Sequence, residues 1–75
     1  MASVADFKKY DIVLSNNKTS KDKEGIVGKV SELGVHVKFW DSLHNKFFHQ
    51  IFRIEKTHPL HCSIEELEKT GKVSH

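Results

Sequence analysis

Between Glu24 and Asp41 the chain reads EGIVGKVSELGVHVKFWD, and apolar and polar positions alternate along it. Val35, Val37 and Phe39 fall on one face, while His36, Lys38 and Trp40 fall on the other. Successive side chains of an extended chain point to opposite sides of a sheet. The pattern therefore predicts a half-buried antiparallel strand over residues 35–40. A preceding strand is expected over residues 25–31, joined to it by a tight turn at Leu33-Gly34. Gly28 lies inside that earlier strand. A glycine there weakens the ladder and marks a bend or bulge, a device by which small barrels turn a corner.

The same logic extends along the chain. Residues 1–9 form an entry segment in which Ser3 and Asp6 are suited to cap a short helical turn. Residues 10–14 (YDIVL) read as a first strand, short and β-branched. Residues 15–24 (SNNKTSKDKE) contain no apolar residue, so this segment is expected to be a solvated loop. Residues 41–45 (DSLHN) read as a turn, with Asp41 and Asn45 bonding nearby backbone.

Residues 46–55 (KFFHQIFRIE) are read as a fourth strand. Phe48, Gln50, Phe52 and Ile54 share one face; Phe47, His49, Ile51 and Arg53 share the other. Apolar residues on both faces place this strand centrally or between two layers. Phe48, Ile51, Phe52 and Glu55 also fit helical spacing, but the aromatic and β-branched content favours a strand. Residues 56–62 (KTHPLHC) form a loop stiffened by Pro59. Ser63 and Glu66 fit a capping box, and a helical turn is expected over residues 64–69, closed by Gly71. Val73 is the candidate for a last short strand.

Length sets limits on function. Seventy-five residues make one small domain without internal repeats. Such a chain buries only about 60% of the surface exposed when unfolded, so it depends on a well-packed core. Five Phe and one Trp supply large buried areas for that purpose. A deep, enclosed active site is hard to build at this size, which argues against an enzyme. Twelve Lys and Arg against ten Asp and Glu give a formal charge of +2, a weaker excess than nucleic-acid-binding domains usually carry. Cys62 is the one cysteine, so an internal disulfide framework is excluded. The opening MASVADFKKY has no long apolar run, so no signal peptide is expected. No segment approaches the roughly 20 apolar residues of a membrane span. The setting expected is the cytoplasm, without membrane attachment.

Phe7, Asp11 and Val13, then Gly25, Val27 and Val30, then Val35, Val37, Phe39 and Asp41 form a pattern of core and turn positions. This pattern resembles small Src-homology-3-like barrels of the KOW/Tudor type and the photosystem accessory barrels that share their topology. The resemblance covers nearly the whole chain. It implies a mainly β fold: a small five-stranded, mostly antiparallel barrel with one short helical turn near the C-terminus. Tyr10 stands where the pattern usually has glycine, so the first turn is expected to differ. Such barrels serve many functions, and the resemblance implies no particular one.

Three groups of residues invite a chemical reading. His58, His61 and Cys62 lie close together, with His44 and His49 upstream. Imidazole and thiolate bind zinc, but a structural site needs four ligands, and adjacent His61 and Cys62 are poorly spaced for it. No metal and no cofactor are expected. Cys62 as a nucleophile beside His58 or His61 fails on similar grounds, since adjacent residues rarely aim at each other. Glu65, Glu66 and Glu68 read as a solvated face, with Glu65 and Lys69 paired one turn apart.

The basic and aromatic group is the positive signal. His36, Lys38 and Trp40 project together from the third strand, and Phe47, His49 and Arg53 extend the patch from the fourth. Lys18, Lys21 and Lys23 hang from the loop above. Trp, Phe and Arg dominate protein interfaces, while aromatics with Lys also bind single-stranded nucleic acid. The bland alternative is that Trp40 closes the end of the barrel. The modest charge favours a non-enzymatic module docking to a larger protein complex as an accessory or regulatory subunit. Nucleic-acid binding by the same face is the alternative, and no small-molecule substrate is inferred.

Overall fold

The structure is a computed structural model that describes residues 4–17, 23–55 and 62–72. The alternation that opens the sequence reading sets its centre. Strand β3 (Gly34–Asp41) buries Val35, Val37 and Phe39 completely and turns Lys38 and Trp40 to solvent. It pairs antiparallel with β2 (Lys23–Ser31) on one side and with β4 (Lys46–Arg53) on the other. β1 (Asp11–Ser15) follows β2 in the sheet, and two further strands, β5 (Cys62–Ser63) and β6 (Leu67–Lys72), lie at its edges. The order is β5-β4-β3-β2-β1-β6, a curled half-barrel. The mainly β reading therefore holds, with six strands rather than five. The β4–β5 pair is parallel and the others are antiparallel.

The concave face holds the core. Val13, Val27, Val35, Val37, Phe39 and Phe52 meet there, with Cys62, Ile64 and Leu67 from the C-terminal segment and Phe7 from the entry segment. Phe39 stacks on Phe48 at 5.4 Å between ring centroids and tilts against Phe52 at 6.2 Å. Of the mixed faces of β4, the one with Phe48, Gln50 and Phe52 turns inward, and only Phe52 is fully buried.

The bulge expected at Gly28 is present. Val27 pairs with Val37, but Lys29 pairs with His36, so Gly28 is the extra residue. The insertion reverses the alternation: Val27 is inward before it, and Val30 packs against the core after it. Without it Lys29 would point into the core. The turn at Leu33-Gly34 has a steric reason too. Gly34 has φ +136°, and a Cβ there would collide with the carbonyl oxygen of Phe52.

The first turn takes an unusual form at Tyr10, whose φ of 76° is the left-handed conformation that glycine adopts at less cost. Tyr10 N–H donates to Val27 O at 2.8 Å, which ties the turn to β2. Asp11 is buried beside it. Its Oδ2 accepts from Lys8 N–H at 2.8 Å and meets Lys69 Nζ at 3.3 Å.

The C-terminal segment departs from expectation. The helical turn expected over residues 64–69 shortens to a 3-10 turn, Ile64–Glu66, whose first backbone donors include Glu65 N–H to Ser63 Oγ at 3.3 Å. Leu67 is already extended, at φ −109° and ψ 122°. Gly71 does not close a helix; it lies in β6 opposite Ile12. Lys69 pairs with Asp11 on β1 in place of Glu65. The physical reason is tertiary: Leu67 enters the core and β6 supplies the second hydrogen-bonding partner of β1. Local helix preference is weaker than that combination. The candidate strand at Val73 lies outside the described residues. No helix among the described residues is long and apolar enough to cross a membrane.

Candidate docking face

The convex face of β2, β3 and β4 brings together most of the expected basic and aromatic residues. Register does the placing. Trp40 stands opposite Phe47, and Lys38 stands between His49 on β4 and Ile26 on β2. His36 faces Ile51 on one side and Lys29 on the other, the latter turned outward by the Gly28 bulge.

Trp40 does not close the barrel. It is 47% exposed, Phe47 is 53% exposed, and their rings meet edge to face at 5.0 Å and 70°. Each ring shields part of the other and leaves the rest in water. The hairpin tip beyond them is built by Asp41, whose Oδ1 accepts from the N–H of Leu43 and of His44 at 3.1 and 3.3 Å. Its Oδ2 lies 2.7 Å from His44 Nδ1, and this side-chain bond holds the Asp41 carboxyl below the ordinary carboxylate range. Asn45 closes the turn at φ 52°, a left-handed position that asparagine tolerates well.

Two hollows adjoin on this face. The larger, about 520 Å³, is lined by Lys9, Tyr10, Ile26, Gly28, Lys38 and Phe47, with Val27 at its floor. The smaller, about 220 Å³, is lined by Gly28, Lys29, His36, Lys38 and His49. Gly28 and Lys38 belong to both, so Gly28 is the saddle between the larger hollow, with its wall of Tyr10, Ile26 and Phe47, and the smaller one, with Lys29 and the two histidines. Lys9 lays its ammonium over the Tyr10 ring, 5.0 Å from the centroid.

His36 is the best-fixed ring in the basic hollow. Its Nε2 lies 2.7 Å from Ser31 Oγ, and that oxygen accepts from Leu33 N–H at 3.2 Å. Desolvation lowers its pKa first, and the charges of Lys29 and His49 lower it further. A neutral ring whose Nε2 accepts the Ser31 hydroxyl proton satisfies both observations.

Three of the nine expected site residues stand elsewhere or outside the description. Lys18 and Lys21 lie outside the described residues. Lys23 is not a loop residue; it opens β2 on the concave side, with its ammonium 5.3 Å from the Phe48 ring centroid. A fourth, Arg53, shares the outer face of β4 but stands at its far end. It lines a separate hollow of about 280 Å³ with Glu32, Leu33 and Ile54. The joined group is therefore His36, Lys38, Trp40, Phe47 and His49.

The sequence reading missed Lys9, Tyr10, Ile26, Gly28 and Lys29 as parts of this face. Two of them were within reach: a bulge at Gly28 turns Lys29 outward, and Ile26 precedes it on the outer side. Nothing local places Tyr10 there, because its position depends on the bond to Val27 O.

The other candidate chemistries find different places. Cys62 is a buried thiol in the core and is in no disulfide. His58 and His61 lie outside the described residues. Among the described residues no three His, Cys, Asp or Glu side chains gather as metal ligands would. Compared with family models, with curated proteins and with solved structures, the chain gives no match.

Proposed function

We propose that this domain is a non-catalytic binding module that docks on a protein partner, as an accessory or regulatory subunit of a larger complex. The observation that carries the reading is the Trp40–Phe47 pair, held on a sheet whose other face is the core and left about half exposed beside a groove. Exposed aromatics on a rigid scaffold are what interface hot spots are made of. A buried thiol at Cys62 that is in no disulfide suits a reducing compartment, and we place the module in the cytoplasm.

The test compares capture, from extract of the source cells with and without nuclease treatment, by the wild-type domain and by Trp40→Ala and Phe47→Ala. Both variants are first checked for wild-type melting. A nuclease-resistant protein retained by the wild type and lost by both variants is the expected result. Equal capture by the variants overturns the reading. Retention only of nuclease-sensitive material transfers the face to nucleic acid.

A further inference from the structure

We propose that the two joined hollows form a site for an extended acidic segment of the partner, with an apolar side chain in the larger hollow and carboxylates over Lys38, Lys29, His36 and His49. The inference rests on the docking reading and adds the chemistry of the partner to it.

Charge complementarity carries the argument. Among the described residues, the two hollows are lined by three lysines and two histidines and by no carboxylate. Among the described residues, neither Lys29 nor Lys38 has an ion-pair partner. Tyr10, Ile26 and Phe47 supply the apolar wall. At about 520 Å³ the larger hollow falls within the range of roughly 300–1,000 Å³ typical of ligand clefts. In an extended segment, alternate side chains point the same way and stand about 6.5 Å apart. An apolar residue followed two positions later by Asp or Glu therefore fits neighbouring hollows across the Gly28 saddle.

The aromatic geometry separates this occupant from nucleic acid. Successive bases stack on ring faces that a single strand can follow. Trp40 and Phe47 instead meet at 70°, edge to face, and offer no pair of parallel ring faces to successive bases.

Gly28 supplies a variant that blocks the site with little strain. A Cβ there would lie 3.6 Å from Lys38 Cε and 3.8 Å from His36 O, ordinary contact distances, and the larger side chain of Gly28→Leu would fill the saddle. The histidines supply a second readout. Facing His36 are Lys29 and Gly28 from β2, Ser31 at the end of β2, Lys38 from its own strand, and His49 and Ile51 from β4. A carboxylate placed among them favours the imidazolium, so binding takes up protons and tightens as pH falls.

The experiment is an amide NMR titration of the whole domain with a short peptide alternating Glu and Leu around one Trp. The comparison probes are the same peptide with Gln for Glu and an oligodeoxythymidine. The Glu peptide should shift Ile26, Gly28, Lys29, His36, Lys38, Phe47 and His49. The Gln peptide should bind about tenfold more weakly, as expected for a few partly exposed charge pairs. Affinity for the Glu peptide should rise from about pH 8 to about pH 6, and His36→Gln should reduce that rise. Gly28→Leu, with unchanged melting, should abolish binding. Equal binding of the Gln peptide on this face sinks the acidic specificity while leaving protein docking intact. Shifts at these residues with the oligonucleotide alone sink both this inference and the docking reading of the convex face, whereas shifts with no probe sink this inference and leave the docking reading to the capture test.

Discussion

The two faces of β3 share one backbone and have different tasks. Inward, Val35, Val37 and Phe39 are fully buried and touch residues from β2 and β4 as well as one another. Outward, the same strand carries a half-buried His36, an exposed Lys38 and an exposed Trp40. The inner side chains have little freedom, because interiors are close-packed and a lost methylene leaves a void. The outer ones pack only partly, through the Trp40–Phe47 contact and the His36–Ser31 bond, so substitutions there should cost less stability and separate it from binding. That difference is why the proposed docking site is placed on the convex face.

The largest expected effect lies on the inner face. Phe52→Ala should cost about 3–5 kcal/mol, and Val37→Ala less. A domain of this size has little more than about 5 kcal/mol in total, so Phe52→Ala should keep no more than about 2 kcal/mol and unfold at much lower urea than the wild type. Urea titrations followed by circular dichroism measure both. A wild-type midpoint for either variant would mean that the concave face is not the core.

A smaller effect is expected at the rim between the faces. Asp11→Ala leaves Lys8 N–H without the acceptor it now has at 2.8 Å. The cost should be about 0.5–1.5 kcal/mol, as for a partly buried hydrogen bond that loses its acceptor. Asp11→Asn keeps an oxygen in place and should cost less. Lys69 is about half exposed, so Lys69→Met should have the smallest effect of the three. If Lys69→Met costs as much as Asp11→Ala, the ion pair rather than the turn is what Asp11 stabilises.

How far the sequence showed this contrast depends on the range of the forces involved. The faces of β3, the bulge at Gly28 and the turn at Gly34 were legible because each follows from local alternation or from glycine. The C-terminal segment was not. Glu65, Glu66, Leu67, Glu68 and Lys69 prefer a helix locally, yet Leu67 and Lys69 find their partners on β1 and in the core. On the outer face, His36, Lys38, Trp40, Phe47 and His49 came together as read because β3 and β4 are neighbours in the sequence. Tyr10 and Lys9 joined them through a contact between distant segments. Lys23 left the group because its strand begins earlier than the polar run suggested, on the inward-facing parity of Gly25 and Val27.

Trp40→Ala tests the outer face directly. Its ring contacts the Phe47 edge, and an aromatic pair contributes about 0.5–1.5 kcal/mol. The stability loss should stay within that range while partner binding is lost. Melting temperature and binding are measured on the same preparation. A loss of stability as large as that of Phe52→Ala would place Trp40 with the inner face and remove the contrast between the two.

The smallest effect expected belongs to His36, and its sign differs between folding and binding. In the unfolded chain its imidazole takes the ordinary value near 6.5. In the fold desolvation lowers it, and the charges of Lys29 and His49 add to the shift. Below about pH 6.5 the unfolded chain therefore holds that proton more readily than the folded one. The contribution of His36 to stability is complete above that pH and is lost as pH falls through the lowered folded value. His36→Gln keeps a group able to bond Ser31 Oγ but does not titrate, so its stability should fall less between neutral and mildly acidic pH. Urea midpoints of the two proteins across that window measure the difference, and parallel curves would mean that the ring is not held neutral. An acidic segment on the convex face acts on the same ring in the opposite direction, because a nearby carboxylate favours the imidazolium. Acidification should therefore weaken the free fold slightly and tighten the complex. Both trends should diminish together in His36→Gln, whereas a change in only one would separate the ring's role in the fold from its role in binding.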